Sequence, residues 1–278
     1  MSGNVSNLPK AALTLALIFS AAAFSLPAQA APECGDTAAG FPAWLADFKD
    51  EAQSNGISAS TVSTALDNVS YDESVIAHDR NQRSFQGDVA TFAAKRVTPY
   101  RVKKGRNMMI AYAEAFERIE KKYGVPAPVL VAIWGLESEF GAGTGGYSTF
   151  SALATLAYDC RRADQFHQEL MDALRLAQRG SIDPTRLRGA WAGEIGQTQF
   201  MPSVYLQYAV SLDGGHPDLI GNPEDALAST ANYLREHGWQ RGGGWRPGEA
   251  NYDALLQWNA APVYARTIVI FADKLDAK

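Results

Sequence analysis

Strand signals are scarce in this chain, and that scarcity constrains its fold more than any other feature. Nearly every apolar run repeats with helical spacing. Residues 41–53, FPAWLADFKDEAQ, place Trp44, Leu45 and Phe48 on one helical face, and Asn55-Gly56 stops the run. Residues 58–66 restart as a short helix that Ser58 or Ser60 can cap. Residues 67–86 read as loop plus a short helix, and 87–94 and 105–122 as further helices. In the last of these, Met108, Met109, Tyr112, Phe116 and Ile119 form an apolar stripe suited to core packing. Residues 124–128, GVPAP, break the chain before an apolar helix over 129–139, VLVAIWGLESE. Helical patterns return at 151–158, 165–178, 195–209 and 222–236. Only 264–271 has strand character, and it can equally be helical. No internal repeat or low-complexity tract interrupts this order. The reading is a mainly α protein.

Composition narrows what such a protein can do. With 278 residues, 46% of them hydrophobic, the chain can bury a full core. A net charge of −5 argues against a general nucleic-acid binder, which needs a basic footprint. Two cysteines exclude a disulfide-rich scaffold and a Cys-rich zinc module. The apolar residues are unevenly placed. Residues 1–30 carry one charge, Lys10, then the uncharged run ALTLALIFSAAAFSL, then Pro27-Ala28-Gln29-Ala30. This is the pattern of a cleaved signal peptide ending at Ala30. The apolar stretch is short for a bilayer span, which takes roughly 20 residues. Removing it leaves 24 basic against 30 acidic residues, a net −6. Glu33 before Cys34 argues against lipidation, and the expected location is the periplasm. Export would allow a Cys34–Cys160 disulfide; two free or buried thiols is the other reading.

The sharpest local feature is Glu137, which follows a mainly apolar stretch of the 129–139 helix. A carboxyl group with an apolar collar resists ionisation, which suits a general acid near neutral pH. An ordinary exposed Glu at a helix end is the alternative. Glu139 is the nearest rival, but two residues on it must point elsewhere from a helix. Glycan cleavage would also need a polar and aromatic cleft. The second half of the chain offers Tyr147, Tyr158, Trp191, Gln197 and Tyr205 beside the residues named below.

Several segments together resemble the B-type lytic murein transglycosylases, glycoside hydrolase family 103. They are VLVAIWGLESEFG at 129–141, SALATLAYDCRR at 151–162 and GAWAGEIGQTQFMPSVYLQYAV at 189–210. DALASTANYLREHGW at 225–239 and LLQWNAAPVYA at 255–265 complete the set, and the likeness runs from about residue 41 to 275. The resemblance implies a lysozyme-like catalytic domain over 116–278 and an additional N-terminal helical region over 31–115 packing on it. It implies that Glu137 is the single catalytic acid, and that Arg161 and Arg162 line a glycan- and peptide-binding cleft. Gln199 and Phe200 would form the cleft floor near an N-acetyl group, with Tyr233, Tyr264 and Asn259 as further cleft residues. The implied reaction cuts the β-1,4 bond between N-acetylmuramic acid and N-acetylglucosamine without net hydrolysis, leaving a 1,6-anhydromuramoyl end. A hydrolytic muramidase and a non-catalytic peptidoglycan-binding protein on the same fold are the alternatives.

Some positions depart from the family pattern. Ala190 replaces a serine that contacts the acid, Trp258 stands where a tyrosine can occur, and Gln165 occupies another tyrosine position. Glu194 and Ile195 replace a small residue and a methionine. Glu194 either tunes Glu137 upward by like charge or faces solvent, and the expectation is solvent. The stretch 211–218, SLDGGHPD, lacks most ligands of a calcium loop, and no metal or other cofactor is expected. The four histidines show no metal spacing. No peptidoglycan-binding module is expected after the last motif. The expected partner is the peptidoglycan glycan strand, held by a monomer, with cell-wall machinery as a further candidate partner.

Overall fold

The computed structural model describes residues 33–81 and 88–277. The leader expected over 1–30 therefore lies outside the described residues. Thirteen helices follow in order among them: α1 Phe41–Ser54, α2 Ala59–Leu66, α3 Glu73–Arg80, α4 Val89–Arg96, α5 Pro99–Ala111, α6 Ala113–Tyr123 and α7 Ala127–Ser138, then α8 Thr149–Tyr158, α9 Ala163–Gln178, α10 Pro202–Tyr208, α11 Pro223–Glu236, α12 Tyr252–Trp258 and α13 Pro262–Asp276. One antiparallel pair, β1 Tyr147–Ser148 with β2 Arg188–Gly189, is the sheet among the described residues. The mainly α reading holds.

Short side chains set most of the helix starts. Ser58, Asp72, Asp88, Thr98 and Asn222 each accept a backbone N–H from the first turn they precede. They satisfy donors that a helix leaves unpaired. Proline opens α5, α7, α10, α11 and α13, where its fixed φ and missing N–H cost nothing.

Two expectations need correction. The single helix read over 105–122 is two helices that meet at Tyr112, whose backbone leaves helical geometry at φ −113° and ψ 25°. The break lets Tyr112 pack edge-on against Trp134 at 5.6 Å between ring centroids. It also lets α5 lie close on the core: a Cβ at Gly105 would meet Leu275 Cδ2 at 2.8 Å. The helix read over 195–209 starts only at Pro202. Before it, Ile195 and Phe200 pair as an antiparallel bridge, with Ile195 N–H donating to Phe200 O at 2.7 Å and Phe200 N–H returning at 2.9 Å. Gly196 turns the chain at φ 77°, against Leu219 O, where a Cβ would sit 2.3 Å away. Residues 264–271 are helical within α13, and α12 is a helix that the pattern of its seven residues did not announce.

The buried side chains form two clusters. One gathers α1, α2, α8, α9 and α10 around Phe48, Leu66, Leu153, Phe166 and Leu170. The other gathers α4, α6, α7, α11, α12 and α13 around Ile119, Leu130, Ile133, Phe271 and Leu227. Tyr233 and Trp258 pack against both clusters and so mark the seam between them. Helix α7 is buried on every side from Val129 to Gly135, which explains why the segment could be apolar all round. No helix among the described residues is long and apolar enough to cross a membrane.

A disulfide joins Cys34 to Cys160 across 126 residues of sequence. Its neighbours reinforce the tie: Gly35 N–H donates to Tyr158 O at 2.9 Å, and the Tyr158 hydroxyl donates to Thr37 O at 2.9 Å. Tyr158 is thus a core residue under the N-terminal segment, not a groove residue. A closed loop of this length corresponds to about 5 kcal/mol of denatured-state chain entropy. Replacing both cysteines by alanine is expected to lower the unfolding free energy by about 2–5 kcal/mol in urea titrations; an unchanged midpoint would show that the bridge does not constrain the unfolded chain.

Candidate active site

The seam opens into a cleft of about 290 Å³ lined by Glu137, Glu194, Gln199, Phe200, Met201, Val204, Tyr233, Trp258 and Asn259. Each comes from an element with a reason to be there. Helix α7 delivers Glu137 in its last turn and then ends abruptly, because Glu139, Phe140 and Gly141 all adopt left-handed backbone, with φ 53°, 62° and 81°. Ser138 fixes that reversal by donating to Gln197 O and accepting from Gly141 N–H at 2.9 Å. Trp134 Nε1 donates to Gln197 Oε1 at 3.0 Å, so Gln197 is an internal strut between α7 and the 195–200 turn. The sequence offers it as a groove residue, but it is buried.

Glu137 is held at one oxygen. Trp258 Nε1 donates to its Oε1 at 3.0 Å, and the Tyr264 hydroxyl donates to the same atom at 2.8 Å. With Oε1 committed as a double acceptor, the proton of the acid form resides on Oε2. Burial pushes the carboxyl upward, the two hydrogen bonds pull it back, and the nearby Glu194 charge adds a smaller upward push; the balance is a pKa of about 7. Burial first, and Glu137 second, push the Tyr264 phenol well up, so it remains a donor at neutral pH. Glu139 points elsewhere, because it lies just past the end of α7 in left-handed backbone. Its carboxylate pairs with Arg101, whose Nε donates at 2.7 Å, and Lys104 donates to its carbonyl at 3.0 Å.

Glu194 corrects an expectation. It lines the cleft beside Glu137 rather than facing solvent. The chain doubles back through Gly193, at φ 88°, and Ala192 N–H donates to Glu194 Oε2 at 3.2 Å, folding the carboxyl inward. Burial raises its proton affinity, against the Ala192 N–H and Arg162, which lower it.

Gln199 sits at φ 56° and commits its amide NH₂ to Gly196 O at 2.7 Å and Thr144 O at 3.2 Å. Among the described residues its Oε1 accepts no hydrogen bond, which leaves an acceptor for an incoming N–H or O–H. Phe200 forms the floor, with Trp258 at 5.5 Å and Tyr233 at 6.3 Å between ring centroids. The Tyr233 hydroxyl donates to Gln257 O, and its ring stacks on His237 at 3.9 Å. Asn259, the C-cap of α12, accepts Ala261 N–H on its Oδ1 at 3.0 Å, tightening the turn between α12 and α13. Tyr205 was read as a groove residue, but it is buried and donates to Pro217 O.

The two arginines share the recess beside the disulfide, and only Arg162 also reaches the recess next to the cleft. Arg162 lines a second recess of about 410 Å³, with His78, Gln165 and Trp191, which shares Glu194, Met201 and Asn259 with the cleft. Arg161 lines a third recess beside the disulfide and does not reach the cleft around Glu137. Asp79, on α3 and 2% exposed, explains both positions. Arg161 Nε donates to its Oδ2 at 2.6 Å, and Arg162 donates to Oδ1. Burial pushes the Asp79 carboxyl up, but the two guanidinium groups outweigh it and hold it below the usual range. Sequence reasoning missed Asp79, because nothing local marks a carboxylate that will meet two arginines about eighty residues away. Ala190 brings no side-chain donor; its N–H donates to Glu194 O at 3.3 Å.

No group of three His, Cys, Asp or Glu side chains is placed to hold a metal among the described residues. In the 211–225 loop, Asp225 accepts Leu212 N–H at 2.9 Å and Asp218 N–H at 3.0 Å, so its carboxylate is occupied by the backbone.

The position of Glu137 makes stability depend on pH. Its folded pKa, about 7, lies above the ordinary 4.5. The folded state therefore binds the proton more tightly, a contribution fully present below the unfolded value and lost as pH rises through about 7. The interval caps the effect at about 3 kcal/mol, and cleft water lowers it. Glu137→Gln is expected to be more stable than the parent at pH 8 by about 1–3 kcal/mol, with the gap closing at pH 4–5. Urea unfolding curves measured at both pH values check this; a gap independent of pH would contradict the assignment.

The family model described as the transglycosylase SLT domain matches residues 40–249. Membrane-bound lytic murein transglycosylase B of Escherichia coli (strain K12) is 41% identical over 153 residues, 54% of this chain and 42% of that protein. The match thus spans less than half the length of that relative. The crystal structure of SltB3 from Pseudomonas aeruginosa in complex with NAG-anhNAM-pentapeptide is similar with a TM-score of 0.81 at 30% identity, covering 85% of this chain and 80% of that one. The Escherichia coli lytic transglycosylase Slt35 in complex with calcium is similar with a TM-score of 0.76 at 27% identity, covering 88% and 96%. The chain belongs to the transglycosylase SLT-domain family and has the almost entirely α-helical, lysozyme-like fold of that family's solved members.

Proposed function

We propose that this protein is a lytic transglycosylase of the B type, acting on peptidoglycan with Glu137 as acid and then as base. One observation carries the proposal: a carboxyl group poised near pH 7, with one oxygen pinned by Trp258 and Tyr264, lines the cleft at the seam of the two cores. The likeness to SltB3, captured with NAG-NAM-pentapeptide and with its anhydro counterpart, supports the substrate class.

The chemistry closes on itself. Glu137 Oε2 gives its proton to the glycosidic oxygen as the C1–O bond breaks. The muramoyl 2-acetamido oxygen supports the positive charge that develops at C1, so the protein need not supply a nucleophile. The C6 hydroxyl then bonds to C1 and returns its proton to Glu137, which restores the acid without water. Trp258 and Tyr264 stabilise the carboxylate formed midway, since hydrogen bonds to a charged acceptor strengthen as charge develops. Phe200, Tyr233 and Trp258 offer ring faces and edges to the sugars, and Gln199 Oε1 offers an acceptor to the acetamido N–H. The Cys34–Cys160 bridge fits an oxidising compartment, and the periplasm is the proposed location.

A second reading rests on Glu194. Two carboxyl groups in one cleft is the equipment of a hydrolase, in which the second activates water. A muramidase would leave reducing ends where a transglycosylase leaves anhydromuramoyl ends, and the two differ in mass by one water. Glu137→Gln is expected to reduce release of soluble fragments from purified murein at least 10³-fold, as loss of a proton donor implies. The variant should still sediment with murein. Turnover within tenfold of the parent would remove Glu137 from its role.

A further inference from the structure

The cleft carries one ionisable group that the reaction above does not use, Glu194. Its backbone is locked: Glu194 O accepts Ala190 N–H at 3.3 Å, and the 195–200 bridge follows directly. A Cβ at Gly189 would stand 2.1 Å from Glu194 O, so this turn packs on the β1–β2 pair with no slack. One carboxyl oxygen takes Ala192 N–H, and among the described residues the other takes no hydrogen bond. The side chain lines both the Glu137 cleft and the Arg162 recess, and so forms the wall they share.

The surrounding charges define what this carboxylate can act on. From α7 the facing group is Glu137, while Glu139 is turned away onto Arg101. From α13 it is Tyr264, which bonds to Glu137 and has Arg96 and Arg101 in its field. From α11 it is Tyr233; α12 and its C-cap bring the uncharged Trp258 and Asn259, and α10 with its cap brings Val204 and Met201. The N-cap of α9 brings Arg162, and α3 brings His78 at the far side of the recess. Arg162 donates to Asp79 rather than to Glu194. Burial raises the proton affinity of Glu194, its own N–H, the Ala192 N–H and Arg162 oppose that rise, and no cation neutralises it in a contact pair.

We propose that Glu194 is a positioning residue for proton transfer, acting through Glu137: its negative charge in the shared cleft opposes ionisation of Glu137 and holds it in the acid form. This rests on the reading of Glu137 as the proton donor and adds a second carboxyl group to it. The two groups titrate as a coupled pair. For this Glu194 has to lose its proton first, a direction that Arg162 and the Ala192 N–H favour against its burial. Glu137, with no cation bonded to it, loses its proton second. In this chain the acid is kept protonated by a charge as well as by burial.

The test is a titration of Glu137 followed by ¹³C NMR in protein labelled at glutamate carboxyl carbons, with the resonance assigned through Glu137→Gln. In Glu194→Gln the midpoint of Glu137 is expected to fall by about 0.5–1 pH unit, the size of one screened like charge at short range. Glu194→Asp, which keeps the charge, should stay nearer the parent. Glu194→Ala should fall as Glu194→Gln does. The alkaline limb of murein cleavage should move to lower pH by the same interval. A Glu137 midpoint unmoved or raised in Glu194→Gln overturns the proposal, as does a fall in Glu194→Ala alone, which would signal lost packing. Absence of murein cleavage by the parent would overturn the proposed function while leaving the NMR result to decide the coupling.

Discussion

The structure depends on burying α7. A helix with apolar residues on every face cannot lie on a surface, so other helices must enclose it. Once they do, its last turn reaches the seam between two hydrophobic cores, and the residue there is Glu137. The same burial that stabilises the helix makes the carboxyl reluctant to ionise. Folding and acid chemistry thus share one cause.

The surrounding groups divide the remaining work. Trp258 and Tyr264 reach Glu137 from residues 121 and 127 positions further along the chain and pin one oxygen. Gln197 and Ser138 tie the end of α7 to the turn that carries Gln199 and Phe200. Asp79 collects Arg161 and Arg162, which gives the groove beyond the cleft a charge that is fixed in place. These contacts cross between elements distant in sequence, so the cleft exists only in the assembled fold. The overall charge of −5 does not oppose this, because the local cations are held by local carboxylates.

Much of this was legible in the residues. The periodicity and the capping side chains announced most helices, and the apolar run before Glu137 announced an acid with a raised proton affinity. Motif likeness brought Gln199, Phe200, Tyr233, Trp258, Asn259 and Tyr264 to attention, and the cleft or its acid engages each of them. What could not be read was direction. Glu194 in a glycine-flanked turn looked like a solvated charge, and only the bridge between Ile195 and Phe200 with the Ala192 N–H turns it inward. Arg161 and Arg162, adjacent in sequence, both turn onto the buried Asp79 carboxylate, and only Arg162 also lines the recess that adjoins the cleft. The break at Tyr112 is likewise tertiary: the apolar stripe continues through it, and the packing of Trp134 decides where the helix stops.

In the proposed reaction the substrate's own C6 oxygen, and not water, closes on C1 after Glu137 protonates the leaving group. Digestion of purified murein in ¹⁸O-labelled water, followed by mass spectrometry of the released muropeptides, tests it most directly. Intramolecular closure gives 1,6-anhydromuramoyl ends that carry no label. Reducing ends bearing one ¹⁸O would contradict it and show that water attacks C1.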